Sequence, residues 1–223
     1  MSPSAVVCDF GGVLTTPLVH ALNAFAESCA TTLADLGRAM AASSERTGEH
    51  PLHALERGEV AEAKFMRRVS DELREGIELS ELGEGYFTRL ERNEPMLAFL
   101  AELRGRGLRL ALCTNNVREW EPLWRPMLPE IDDLFEVIVD SGFVGTRKPE
   151  PEIYAIVLDR LGVRGEQCVF IDDVEVNCVA AAEAGMHAVH FIDTEQAIAD
   201  ARAALRPGVG AWPLRHSPDA RGR

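Results

Sequence analysis

Ala5-Val6-Val7-Cys8-Asp9-Phe10-Gly11-Gly12-Val13-Leu14-Thr15-Thr16-Pro17 is a short apolar run that ends in one carboxylate and passes at once into two glycines. Asp is a poor strand residue, so an Asp closing a buried strand needs a reason. The two glycines let the backbone turn sharply and approach a ligand with no side chain in the way. An ordinary Asp-x-Gly turn would look the same, so the rest of the chain has to decide between turn and site.

Downstream of Pro17 the pattern is helical for a long way. Leu18, Leu22, Phe25 and Ala26 share one face, and a second helix is predicted over residues 31–43, broken by Gly48 and Pro51. A short helix over 52–56, an amphipathic one over 61–73 and another over 80–90 follow. Strand signals return only after Asn93. From there helices and short apolar runs alternate: strands are predicted over 108–113, 137–139, 167–171 and 187–192. Helices are predicted over 95–107, through Trp120 and Trp124, from 149 to 161, and over 175–184 and 194–205, with a loop over 142–148. Short apolar strands separated by helices predict an α/β fold, a Rossmann-like, mostly parallel sheet with helices on both faces. The organisation expected is a core made of residues 1–16 and 94–205, an inserted all-helical cap over 17–93, and a disordered tail over 206–223. Trp212 is expected to be the tail residue able to dock on the surface.

The 223 residues carry 23 Lys and Arg against 36 Asp and Glu, a formal net charge of −13. That balance argues against nucleic acid or an anionic membrane as partner, so an anionic substrate would need a local positive feature. No apolar run approaches the roughly 18 residues of a membrane span, and no signal peptide is expected before the first strand. Cys8, Cys29, Cys113, Cys168 and Cys178 include no close C-x-x-C pair, and three of them fall in predicted strands, which fits a reduced cytoplasmic protein. Oligomeric state is left open.

The first, second and fourth predicted strands each end in polar residues: Asp9, Thr114 with Asn115, and Asp172 with Asp173. In an open α/β sheet, ligands bind outside the carboxyl ends of the strands. Any one of these residues alone reads as a helix N-cap; three strand ends, with Lys148 on a loop before a helix, read as a site. Two carboxylates about 4 Å apart repel by roughly 4 kcal/mol at an effective dielectric near 20. A cluster of three therefore calls for protons or a cation. Oxygen ligands with open positions suit Mg²⁺ held beside a substrate phosphate.

At these residues the chain resembles the haloacid dehalogenase superfamily. D-F-G-G-V-L at Asp9, L-C-T-N-N at Thr114, K-P-E-P-E-I-Y at Lys148 and F-I-D-D-V-E-V-N at Asp172 stand in the family's order. Among its branches the chain is most similar to the phosphatase domain of soluble epoxide hydrolases. The resemblance implies a Mg²⁺-dependent phosphatase of a small phosphorylated metabolite. Asp9 would be the nucleophile and form an aspartyl-phosphate. Thr114, Asn115 and Lys148 would hold the phosphoryl oxygens. Asp9, the Gly11 carbonyl and Asp173 would bind Mg²⁺, and Asp172 would support the metal's water shell.

One position departs from the family pattern. Most phosphatases of the family carry a second Asp two residues after the nucleophile as general acid/base; here it is Gly11. His20, His50, His53 and Glu56 are the candidates in the helical region to replace it. Three further readings stay open: a 2-haloacid dehalogenase, a signalling receiver domain, and a catalytically impaired ligand-binding member. The insert of roughly 75 residues speaks against the receiver, since ordinary connections have a median of about 4–6 residues.

Overall fold

The structure is a computed structural model that describes residues 3–79 and 82–206. Five strands, β1 (Ala5–Cys8), β2 (Arg109–Thr114), β3 (Val137–Asp140), β4 (Cys168–Asp172) and β5 (His187–His190), form one sheet in the order β3-β2-β1-β4-β5. Every pairing is parallel. β1 lies in the middle because it is apolar on both faces: Val6 and Cys8 enter one core, Ala5 and Val7 the other. The chain leaves β1 for β2 on one side and returns to β4 on the other, which places the topological switch point beside Asp9.

Twelve α-helices are described. Between β1 and β2 come α1 (Leu18–Ser28), α2 (Leu33–Thr47), α3 (Pro51–Glu56), α4 (Glu62–Ser70), α5 (Gly83–Phe87) and α6 (Glu94–Gly105). After β2 follow α7 (Glu121–Trp124), α8 (Ile131–Leu134), α9 (Ser141–Val144), α10 (Pro151–Leu161), α11 (Glu175–Glu183) and α12 (Thr194–Ala204). Residues of α6, α7, α8 and α12 fill the core on one face of the sheet, and residues of α10 and α11 the core on the other.

α1 to α5 add no strand to the sheet. Thr32 caps α2 by accepting from the Asp35 N–H, and Gly48 ends it in the left-handed region at φ 79°. The chain enters and leaves this helical insert side by side. Thr15 and Arg92 form an antiparallel bridge, the Thr16 N–H donates to the Glu91 carbonyl at 2.8 Å, and the Asn93 N–H donates to the Leu14 carbonyl at 2.9 Å.

Two expectations need correction. The helix predicted through Trp120 and Trp124 is a chain of short pieces: 3-10 turns at Arg118–Trp120 and Arg125–Met127 alternate with α7 and α8. Pro122, Pro126 and Pro129 lack the N–H that a continuous helix would use. The loop predicted over 142–148 begins with α9, whose first turn is capped by Asp140 through the Gly142 N–H. Of the helix predicted over 80–90, α5 is described, and Ser80 and Glu81 lie outside the described residues. The tail predicted from 206 onward, Trp212 included, likewise lies outside them beyond Arg206. Among the described residues no helix is long and apolar enough to cross a membrane.

Candidate active site

Three carboxylates meet where β1 and β4 end. Asp9 follows β1, Asp172 is the last residue of β4 and Asp173 the next, and β1 and β4 are hydrogen-bonded neighbours. One oxygen from each of Asp9, Asp172 and Asp173 can be chosen so that all lie within 4.8 Å of one another. Lys148 reaches this point from the loop before α10. Its Nζ lies 2.8 Å from Asp9 Oδ1 and 2.6 Å from Asp172 Oδ2, and the residue is 1% exposed.

Each group is held by an identifiable contact. Asn115 brackets the lysine's backbone: its amide nitrogen donates to the Lys148 carbonyl at 2.9 Å, and its oxygen accepts from the Lys148 N–H at 2.8 Å. The Asn115 side chain thus orients Lys148, while the residue also lines the cavity of the site. Asp172 is wholly buried, with Oδ2 on the lysine and Oδ1 accepting from the Val174 N–H and from Asn177 Nδ2, both at 2.9 Å. It is a fully committed counter-charge. Asp173 differs. Gly12, at φ 78°, passes so close that an added Cβ would lie 2.3 Å from Asp173 Oδ2. The second glycine of the opening motif therefore makes room for this carboxylate, and a side chain there would fill the space.

Burial, and the charges of Asp172 and Asp173, push the Asp9 carboxyl up to about 7, against the pull of Lys148. Burial disfavours the charged lysine, but Asp172 and Asp9 hold it above the ordinary amine range. One ammonium therefore faces three acids, an arrangement that favours a further cation. The donor set fits a small hard one: oxygens from Asp9 and Asp173, with Asp172 already paired behind them.

Asp9, Lys148 and Asp173 line a cavity of about 480 Å³, with Asp172 buried behind them. Thr114, 2% exposed, lines it together with Asn115, Asn116 and Arg147. The insert contributes Leu18, His53, Glu56, Tyr86, Phe87 and Leu90 to its wall. Arg147 Nε is paired with Glu56 Oε2, and Arg57 Nη1 lies 3.0 Å from Glu150 Oε1, so two ion pairs tie insert to core beside the cavity. Of the four candidates for the missing acid/base, His53 and Glu56 reach the cavity. His20 is on the exposed face of α1, and His50 stacks on His53 with ring centroids 5.0 Å apart without lining the cavity. Arg147 and Tyr86 escaped the sequence reading, since an Arg before the Lys and a Tyr in a short helix carry no motif of their own.

The model of the haloacid dehalogenase-like hydrolases matches residues 3–185. The chain belongs to the haloacid dehalogenase-like hydrolase family. The receiver-domain reading is thereby set aside. Among relatives of this hydrolase, the phosphorylated carbohydrates phosphatase of Thermotoga maritima is 32% identical over 212 residues, covering 93% of this chain and 92% of the relative. The rat bifunctional epoxide hydrolase 2 is 26% identical over 204 residues; the match covers 85% of this chain but only 36% of that larger protein. The fold is that of a HAD family enzyme from Bacteroides thetaiotaomicron, with a TM-score of 0.67 at 21% identity, over 85% of this chain and 94% of that one. That Bacteroides enzyme has also been solved in complex with magnesium and inorganic phosphate.

Proposed function

We propose that the protein is a Mg²⁺-dependent phosphatase of small phosphorylated metabolites, acting through an aspartyl-phosphate on Asp9. The observation that carries this reading is Lys148 held between Asp9 and Asp172 on the floor of a cavity that a third carboxylate, Asp173, also lines. Asp9 Oδ1 is fixed by Lys148 and by the Phe10 N–H at 2.7 Å, which aligns the carboxylate for attack. Lys148 offsets charge on the transferring group, and Thr114, which lines the same cavity, would donate its hydroxyl to a phosphoryl oxygen. Asp9, the Gly11 carbonyl and Asp173 would hold Mg²⁺, with Asp172 behind them. Bound there, the ion neutralises the carboxylates and the incoming phosphate.

The insert over 17–93 acts as the cap that closes on the substrate and selects it. Its Leu18, Phe87 and Leu90, facing Trp120, Val174 and Val176 of the core, form an apolar wall suited to the carbon body of a metabolite. The naming of the Thermotoga relative for phosphorylated carbohydrates supports the substrate class. A reduced cytoplasmic setting accords with the five free cysteines. The impaired-binder reading keeps one observation in its favour, Gly11. Steady-state phosphate release from a phosphometabolite panel decides between them. Wild type with Mg²⁺ is expected to turn over, and chelation or Asp9→Asn to abolish release; equal, metal-independent release from both proteins would refute the assignment.

A further inference from the structure

Gly11 leaves the reaction without a side chain to protonate the departing alcohol. A Cβ at Gly11 would touch only the end of the Leu18 side chain, Cδ1 at 2.9 Å, which can shift, so the residue type and not the space withholds the group. The missing group has to come from elsewhere in the cavity. Asn115 and Asn177 are committed to Lys148 and Asp172, and the Asn116 side-chain oxygen accepts from the Val117 N–H. Glu56 is bound to Arg147. Burial and Arg147 shift His53 toward its neutral form.

Tyr86 is different. It is 6% exposed, lines the same cavity as Asp9, and its hydroxyl makes no hydrogen bond to any described residue. Its ring is fixed by Phe87, edge-on with centroids 5.0 Å apart, and by Trp120 at 5.9 Å. Like any phenol it carries its proton at neutral pH, and burial, then the charges of Asp9, Asp173 and Glu56, disfavour its ionised form. The three carboxylates that act on the hydroxyl all belong to the cavity wall. A packed ring alone would be served by Phe; the hydroxyl, unpaired among the described residues, is left for a partner in the cavity that Tyr86 lines.

Resting on the phosphatase reading above, we propose that Tyr86, from α5 of the insert, is the general acid and base that Gly11 does not supply. In the first half-reaction an Asp9 oxygen bonds to phosphorus and the P–O bond to the alcohol breaks. The leaving oxygen takes the electron pair of that bond and the Tyr86 proton, giving the free alcohol, the aspartyl-phosphate and a tyrosinate. In the second half-reaction the water oxygen bonds to phosphorus and loses one proton to the tyrosinate, while the bond from the Asp9 oxygen to phosphorus breaks and its electron pair stays on the carboxylate. Asp9 and the phenol are regenerated and hydrogen phosphate is released, so the net change is hydrolysis of one phosphate ester. Because Tyr86 rides on the insert, the acid is complete only when insert and core are together.

The test compares wild type with Tyr86→Phe, which keeps the packed ring, on Mg²⁺ and a series of esters from p-nitrophenyl phosphate to alkyl phosphates. General acid catalysis is worth about 10²–10⁴-fold. Tyr86→Phe is expected to lose roughly a hundredfold or more in kcat/KM on alkyl phosphates. On p-nitrophenyl phosphate, whose leaving group needs no proton, the loss should be about threefold or less. Phosphorylated enzyme should accumulate in the variant with that ester, seen by intact mass. A uniform loss across the series, no loss, or no phosphoenzyme overturns the role of Tyr86 while an active wild type keeps the phosphatase reading. A wild type that releases no phosphate from any ester overturns both.

Discussion

Gly12 shows how much of the site rests on a missing atom. Its backbone sits at φ 78°, and any Cβ would overlap the Asp173 carboxylate. Gly12→Ala is expected to lose about 1–2 kcal/mol from backbone strain alone and to displace Asp173. The readout is Mg²⁺ titration followed by thermal melting: the wild type should gain stability with metal, and the variant should gain little. Retention of the full metal effect would show that Asp173 is not a ligand. At this scale the site was largely legible. Asp9, Thr114, Asp172 and Asp173 announce themselves because acidic and hydroxyl residues are out of character at the ends of apolar strands, and Lys148 by its place on a loop before a helix near the same edge. Asn115 carries the same signal, but its side-chain bonds to the Lys148 backbone were not legible, because nothing in a strand-end Asn tells which neighbouring loop it meets. Tyr86 gave no signal, since an aromatic residue in a helix reads as core.

Among the elements, α9 shows what a periodicity argument misses. Four residues are too few for a helical pattern to declare itself, and its start is set by a cap, Asp140, at the end of β3. Asp140 was not read as notable. Its Oδ1 accepts from the Gly142 N–H at 2.9 Å, whereas Oδ2 is buried without a partner. Burial pushes this carboxyl from 3.8 up to about 6, against the Gly142 hydrogen bond. A folded state that binds the proton more tightly than the unfolded chain is more stable at low pH. Its stability therefore falls as pH rises from about 4 to about 6, by up to roughly 3 kcal/mol from this group. Asp140→Asn keeps the acceptor and removes the titration. Urea midpoints measured across that range should fall for the wild type relative to the variant, and parallel curves would contradict the account. The long elements were easier: α6, α10 and α12 stand within a few residues of their expected ranges because they bury a continuous apolar face. The run through Trp120 and Trp124 failed because three prolines outweigh its apolar pattern.

For the molecule as a whole, an acidic chain places its one buried lysine among carboxylates and leaves the remaining charge to be met by a cation. Folding stability should accordingly depend on the metal. A ligand that binds only the folded state adds about 2.7 kcal/mol at a hundredfold excess over its Kd, which for a chain of this size is a rise of roughly 5–10 °C in Tm. Mg²⁺ should give that rise and EDTA should reverse it, with Asp9→Asn and Asp173→Asn each reducing it; a Tm indifferent to both reagents would count against a metal centre. The sheet order was not in the motifs, since alternation predicts a parallel sheet without saying which strand is central; β1 takes that place because both its faces are apolar. The paired crossing at Thr15 and Arg92 has an architectural outcome of its own. Because the insert departs and returns at adjacent points on the scaffold, it is a cassette: another helical module with closely spaced ends could be grafted at the same junction without re-threading the sheet, and on the cap role proposed above that exchange would change which substrate is taken.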